Sequence, residues 1–150
     1  MTAQLFSIDH MMLDLDLRDR DSILTTLATR GCGLGAADDE KDIFESIMER
    51  EMMSTTNVGR GVAIPHCKSE KIQTPTLLFI RLKNPIEWQG EEERVKLVFG
   101  ILTSADSGNT HLAVLAQLAR NLMKDEFINK LTTLSSEEEI YKEIDHIISK

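Results

Sequence analysis

The sequence predicts an α/β protein, a three-layer α/β/α sandwich around a small mixed β-sheet, and three observations carry that prediction. Two nearly continuous apolar runs, Thr76 to Leu82 and Val95 to Leu102, read as strands covered on both faces. Segments with apolar residues at helical spacing flank these runs, two before them and three gathered at the C-terminal end. No Pro/Gly/Ser-rich linker, repeat or low-complexity stretch divides the 150 residues, so residues 1–150 read as a single domain.

Composition narrows the function classes. With 41% hydrophobic and 28% charged residues the chain is ordinary for a globular protein and long enough to bury a core. A net charge of −8 argues against nucleic acid or an anionic membrane surface and suits a basic protein partner. No run approaches the ~18 to 20 apolar residues of a membrane span, and no basic N-terminal region precedes an apolar stretch. The expectation is a cytoplasmic protein with no direct membrane insertion. Cys32 and Cys67 form neither a disulfide framework nor a CxxC metal knuckle and read as free thiols.

Taken in order, Leu13, Leu15 and Leu17 alternate with Asp14 and Asp16 in the period of a half-buried strand. Asp14, Asp16, Asp19 and Asp21 lack the central Gly and terminal Glu of a calcium loop, so they read as solvated strand and cap residues. Asp19 or Asp21 caps a helix bearing Ile23, Leu24, Leu27 and Ala28, which Gly31 ends. Gly31-Cys32-Gly33-Leu34-Gly35 follows a helix rather than a strand and lacks Gly-Lys-Ser/Thr, so it is a connector. A second helix runs from about Asp39 to Met52 on Ile43, Phe44, Ile47 and Met48, with Arg50 and Glu51 in its last turn.

Beyond the first central strand, Asn84-Pro85 ends the run and Pro85-Ile86-Glu87-Trp88 is a short strand or turn, with Trp88 as a packing residue. Gly100 in the second strand permits a close approach. Turn residues from Thr103 to Thr110 lead into His111, which opens a helix on Leu112, Leu115, Leu118, Ala119 and Leu122. Phe127, Ile128 and Leu131 mark a short helix, and Ser136 with Glu139 forms a capping box for the last, on Ile140, Ile144 and Ile147. His10 and His146 have no polar company and read as solvent-facing.

The chemistry concentrates in Gly59-Arg60-Gly61-Val62-Ala63-Ile64-Pro65-His66-Cys67-Lys68. Pro65 biases Ile64 toward an extended backbone and donates no N–H, so His66 emerges at the end of a short buried segment. Gly59 and Gly61 suit a loop wrapped around an anion such as phosphate. Ser54 and Thr55 supply hydroxyls, Arg50 a guanidinium and His111 a second loop-borne imidazole, a set suited to phosphoryl chemistry. Each also has a plainer reading: His66 as a structural histidine, Arg50 against the helix C-terminal dipole, His111 as a surface residue at a helix start. A metal or thiol site on His66, Cys67 and His111 has only three ligands in view, and adjacent residues on an extended chain face opposite ways.

Arg50-Glu51, Ser54-Thr55, Gly59-x-Gly61-Val62-Ala63-Ile64-Pro65-His66 and His111-Leu112 ahead of Leu115, Leu118 and Ala119 occur in an order and spacing that resemble the IIA domains of the bacterial sugar phosphotransferase system. The branch is the mannitol/fructose type (type 2), which includes the nitrogen-regulatory IIA proteins, and the likeness runs from about Leu13 to Ile147. Cys67-Lys68 and Thr56-Asn57-Val58 depart from its usual pattern. The resemblance implies a phosphoryl carrier. His66 takes phosphate on Nε2 from an HPr-type phosphohistidine while its Nδ1–H bonds a backbone carbonyl. His111 and Arg50 assist, and Ser54, Thr55, Gly59 and Gly61 hold the phosphate. It implies no cofactor and no metal, because a histidine-to-histidine transfer needs no Mg²⁺. Implied partners are an HPr-type phosphocarrier and either a IIB domain or regulatory protein targets. The absence of a IIB or membrane segment in the sequence favours the nitrogen-regulatory role. A sugar-transport IIA subunit and a non-catalytic binding module of the same fold are the alternatives.

Overall fold

The computed structural model describes residues 5–89, 94–105 and 112–148. A single 3-10 turn, Ile8–His10, leads into β1 (Met11–Leu15), α1 (Arg20–Gly33) and α2 (Glu40–Met53). Three short strands follow, β2 (Asn57–Gly59), β3 (Val62–Ala63) and β4 (His66–Ser69), and then two long ones, β5 (Thr76–Glu87) and β6 (Arg94–Ser104). The chain closes with α3 (Leu112–Asn121), α4 (Asp125–Thr133) and α5 (Glu137–Ile148).

The six strands form one mixed sheet in the order β1-β5-β6-β3-β2, with β4 also on β6. β5 and β6 pair antiparallel at its centre, β1 runs parallel to β5, and β3 and β4 both run parallel to β6. The two-residue period sends Leu78, Ile80, Leu82, Val98 and Leu102 to one face, against Ile23, Leu24 and Leu27 of α1 and Ile43 and Ile47 of α2. Leu77, Phe79, Leu97, Phe99 and Ile101 go to the other, against Leu118, Phe127, Leu131, Ile140 and Ile144. Each such side chain stabilises by about 1.5–3 kcal/mol on burial. The expected three-layer sandwich is therefore present, with α1 and α2 on one side and the last three helices on the other. No helix of the described residues is long and apolar enough to cross a membrane.

Asp19 caps α1 by accepting Ser22 N–H at 2.7 Å, Asp39 caps α2 through Lys41 N–H at 2.9 Å, and Ser136 Oγ accepts Glu139 N–H at 3.3 Å. Gly100 makes the close approach expected of it, since a Cβ there would lie 2.8 Å from Leu27 Cδ2.

Four local expectations need correction. The first strand is Met11–Leu15, not a strand centred on Leu13 to Leu17. Asp14 sits at φ 57 and shifts the register, because Arg81 of β5 takes its carboxylate from the side, Nε to Oδ1 at 2.9 Å and Nη2 to Oδ2 at 3.0 Å. Gly31 does not end α1; it lies inside it, where a Cβ would come within 2.8 Å of Leu102 Cδ1, and the helix runs on to Gly33. Asn84-Pro85 does not end β5, which continues through a register shift between Arg81 and Ile86 that leaves room for a residue without an N–H. His10 is not solvent-facing. It is 6% exposed, donates from Nδ1 to Leu77 O at 2.9 Å and meets the edge of Phe6. His146 is exposed as expected.

Candidate functional site

β3 and β4 are one strand interrupted. Ala63 pairs with Val98 and His66 with Ile101, the same register on β6, so the break falls at Ile64 and Pro65. Pro65 brings no N–H to the sheet, although its carbonyl accepts Ile101 N–H at 3.0 Å. Ile64 N–H turns instead to Thr56 O at 2.9 Å. The chain then delivers His66, half-buried, to the α3 side of the sheet, and Cys67 to the other.

His66 Nδ1 lies 2.8 Å from Ile64 O. A carbonyl can only accept, so Nδ1 carries the hydrogen and the neutral ring keeps its lone pair on Nε2. The ring lines a cleft of about 260 Å³ together with Arg50, Thr55, Val58, Ile101 and Leu118. A second depression of about 340 Å³ shares Arg50 and His66 and adds Glu49, Met53, Lys68 and Ser69.

The structure thus brings together His66, Arg50 and Thr55. Arg50 Nη1 donates to Ser54 O at 2.9 Å, closing the end of α2, so it meets the helix terminus and the cleft at once. Thr55 Oγ1 accepts Asn57 N–H at 3.2 Å. Ser54 is the exposed C-cap of α2 and lines neither depression. Gly59 and Gly61 lie at the tip of the β2–β3 hairpin, where Gly59, Arg60 and Gly61 have φ of 89°, 60° and 84°. Neither glycine lines the two depressions. Their local task is this left-handed turn, which glycine makes without the ~1–2 kcal/mol that a side chain incurs. Arg60 bridges from the tip to Asp125 at the start of α4. His111 lies outside the described residues.

One residue escaped the sequence reading as part of this site. Glu51 is 1% exposed, and its carboxylate accepts Thr56 N–H at 3.0 Å, Thr56 Oγ1–H at 2.7 Å and Trp88 Nε1–H at 2.8 Å. The signal was available: Glu51 continues the i, i+4 stripe of Ile43 and Ile47, and an acid on an apolar helix face needs buried donors. Trp88 packs in the core as expected and is also one of these donors.

Burial pushes the Cys67 thiol up to about 12, against a weaker opposing hydrogen bond from the Thr103 backbone. It points away from His66, so the two do not converge on one ion. Alkylation of the native protein at mildly alkaline pH should therefore label Cys32, which is half-buried, and spare Cys67 until denaturant is added. Peptide mass mapping checks this, and equal labelling of the two would place Cys67 in solvent.

Residues 4–147 match the family described as "Phosphoenolpyruvate-dependent sugar phosphotransferase system, EIIA 2". A nitrogen regulatory protein of Bradyrhizobium diazoefficiens is 35% identical over 128 residues, 85% of this chain and 83% of the relative. A fructose-specific EIIA component of Haloferax volcanii is 35% identical over 107 residues, 71% of this chain and 70% of the relative. The crystal structure of the nitrogen regulatory protein IIA-Ntr from Neisseria meningitidis superposes with a TM-score of 0.86 at 26% identity, covering 93% of this chain and 96% of that one. The chain spans about 15% of the length of the multiphosphoryl transfer proteins of Shigella flexneri and Escherichia coli that it matches. With a family match over nearly every residue and the sheet order and helix layers in place, the chain belongs to the EIIA type-2 family of the phosphoenolpyruvate-dependent sugar phosphotransferase system.

Proposed function

We propose that this domain is a phosphoryl carrier in which His66 accepts phosphate from an HPr-type phosphohistidine. The observation that carries the reading is the Nδ1–H bond to Ile64 O, which leaves Nε2 as the nucleophile in a cleft shared with Arg50. The Nε2 lone pair forms a bond to phosphorus as the donor's P–N bond breaks. The donor ring, phosphorylated on one nitrogen and protonated on the other, leaves as neutral imidazole with the bonding pair. His66 becomes the phosphoimidazolium, and its Nδ1–H, now on a cation, bonds the Ile64 carbonyl more strongly. Arg50 supplies fixed positive charge and planar donors to the transferring PO₃ group, and Thr55 a hydroxyl. His111, and phosphate contacts from Ser54, Gly59 and Gly61, belong to this proposal as the family resemblance implies them.

The surroundings suit a protein-borne donor. Val58 and Met53, one in each depression, are 56% and 78% exposed, an apolar rim of the kind that a protein surface covers. The net charge of −8 suits a basic carrier and salt-sensitive association. For the outgoing step we propose the nitrogen-regulatory role, in which phosphorylation alters contacts with regulatory proteins, on the strength of the nitrogen regulatory relatives. Transfer to a IIB protein would instead group it with its fructose-type relatives. Incubation with phosphoenolpyruvate, enzyme I and HPr, followed by intact mass with and without acid, tests the carrier reading. A protein that gains no acid-labile phosphate is not a carrier.

Arg50 separates a chemical role from a helix-end role. Arg50→Ala should slow phosphoryl uptake roughly 10²-fold or more, by analogy with loss of one transition-state donor, while stability changes by about 1 kcal/mol. Arg50→Lys should fall between, because it keeps charge but loses the planar fork. Rapid-quench rates beside thermal melts measure both, and wild-type rates in Arg50→Ala would leave it only the α2 cap.

A further inference from the structure

We propose that Glu51, which touches no reacting atom, is a positioning residue that sets the tautomer and direction of His66 through two intervening residues. The inference rests on the carrier reading of His66. Glu51 stands where the stripe of α2 calls for another aliphatic side chain, and among the described residues the three groups that bond its carboxylate are neutral. A buried carboxylate without a cation is costly, and an apolar residue would hold the helix equally well. Its use lies in what it grips.

Thr56 is held at every polar group. Its N–H and Oγ1–H donate to the two oxygens of Glu51, and its carbonyl accepts Ile64 N–H at 2.9 Å. Ile64 is held likewise, its N–H on Thr56 and its carbonyl on His66 Nδ1 at 2.8 Å. The peptide unit that carries that carbonyl is the one joining Ile64 to Pro65, so it has no N–H with which to join β6. Its orientation depends on the Ile64–Thr56 bond on one side and the Pro65 O to Ile101 N–H bond on the other. Glu51 fixes Thr56, Thr56 fixes Ile64, and the Ile64 carbonyl decides which nitrogen of His66 holds the proton. Trp88 grips the same carboxylate but leads away from His66.

The test is long-range ¹H–¹⁵N spectroscopy of ¹⁵N-histidine-labelled protein, at a pH where His66 is neutral, beside phosphoryl-uptake rates. Wild type should show His66 as the Nδ1–H tautomer. Glu51→Ala should give a mixture of tautomers and slow uptake roughly 10- to 100-fold. Glu51→Gln keeps an oxygen for Thr56 N–H and Trp88 and should restore both readouts to within a few-fold. A wild-type tautomer pattern in Glu51→Ala overturns the proposal, as does a Glu51→Gln variant no better than Glu51→Ala. Should Glu51→Ala not fold, Thr56→Val and Trp88→Phe decide. The first should shift the tautomer pattern and slow uptake a few-fold, and the second should do neither. Equal effects from both would make the network mere scaffolding and end the proposal. If wild type takes up no phosphate the carrier reading fails alone, since the spectra still answer for Glu51.

Discussion

His66→Ala abolishes acid-labile phosphate on the protein and leaves the fold standing. The ring starts β4, is half-buried and makes one hydrogen bond among the described residues, to Ile64 O, so its loss should lower stability by only about 1 kcal/mol. The strand beneath it is held by other groups: Cys67 is buried in the α1/α2 core and Thr103 Oγ1 donates to Cys67 O at 3.0 Å. The chemical loss is total, because Cys67 turns its thiol the other way and holds its proton at neutral pH. Intact mass after incubation with the phosphate donors, beside a thermal melt, reads both. Unchanged phosphate stoichiometry in a folded variant would remove His66 from the reaction.

Arg81→Ala should be strongly destabilising although it lies away from the site. Arg81 is 5% exposed and joins three elements: its Nε and Nη2 take Asp14 of β1, and its Nη1 donates to Leu131 O at 3.1 Å and to Leu134 O at the end of α4 at 2.6 Å. The pair with Asp14 deserves a discount, since that carboxylate is 60% exposed and screened by water. The two carbonyls lose their donor, at ~1–3 kcal/mol each where solvent cannot replace it. The sum is about 3 kcal/mol, or roughly 6–12 °C in Tm for a domain of this size. Asp14→Asn should lose about 1 kcal/mol or less.

The pH dependence distinguishes the two halves of the clamp. Hydrogen bonds from Arg81, with its charge, hold the Asp14 carboxyl below the usual carboxylate range. A depressed folded pKa contributes stability that is present above the unfolded value, near ~4, and lost as pH falls through the lower folded value. Wild type and Asp14→Asn should therefore differ at pH 7 and converge below about pH 4, whereas Arg81→Ala stays weaker than wild type at both. Urea melts at the two pH values check this. Equal losses from the two variants at pH 7 would place the whole clamp in the ion pair.

What was legible in the sequence is what local periodicity encodes. The apolar runs of β5 and β6, the stripes of α2 and α5, and the caps at Asp19 and Ser136 depend on neighbours within a turn or two, and they were readable. β1 was displaced because Asp14 adopts φ 57 to meet a guanidinium 67 residues later, which no window of sequence contains. His10 misled for a similar reason. Its partner is the backbone carbonyl of Leu77, and a carbonyl has no letter in the sequence. At the site, the order of Arg50, Thr55 and His66 was visible in the sequence, and their meeting at one cleft was expected from their combined chemistry and the family resemblance rather than from any local periodicity. The stripe of α2 marks Glu51 as a buried acid but does not name its donors, because one of its three bonds comes from the Thr56 backbone N–H and the others from the side chains of Thr56 and Trp88, the latter 37 residues away.

The doubly covered strand β5 also constrains how the protein is made. Leu77-Leu78-Phe79-Ile80 is uncharged, without proline and rich in residues that favour extended chains, the makeup of a self-associating segment. On the ribosome β1 precedes it, but β6 emerges only afterwards, so one edge of the nascent strand stays open until Arg94–Ser104 is synthesised. Arg81 stands at the end of that run, where a charge disfavours self-association of an extended apolar segment, so the residue that clamps three elements in the fold also flanks its most strand-prone stretch.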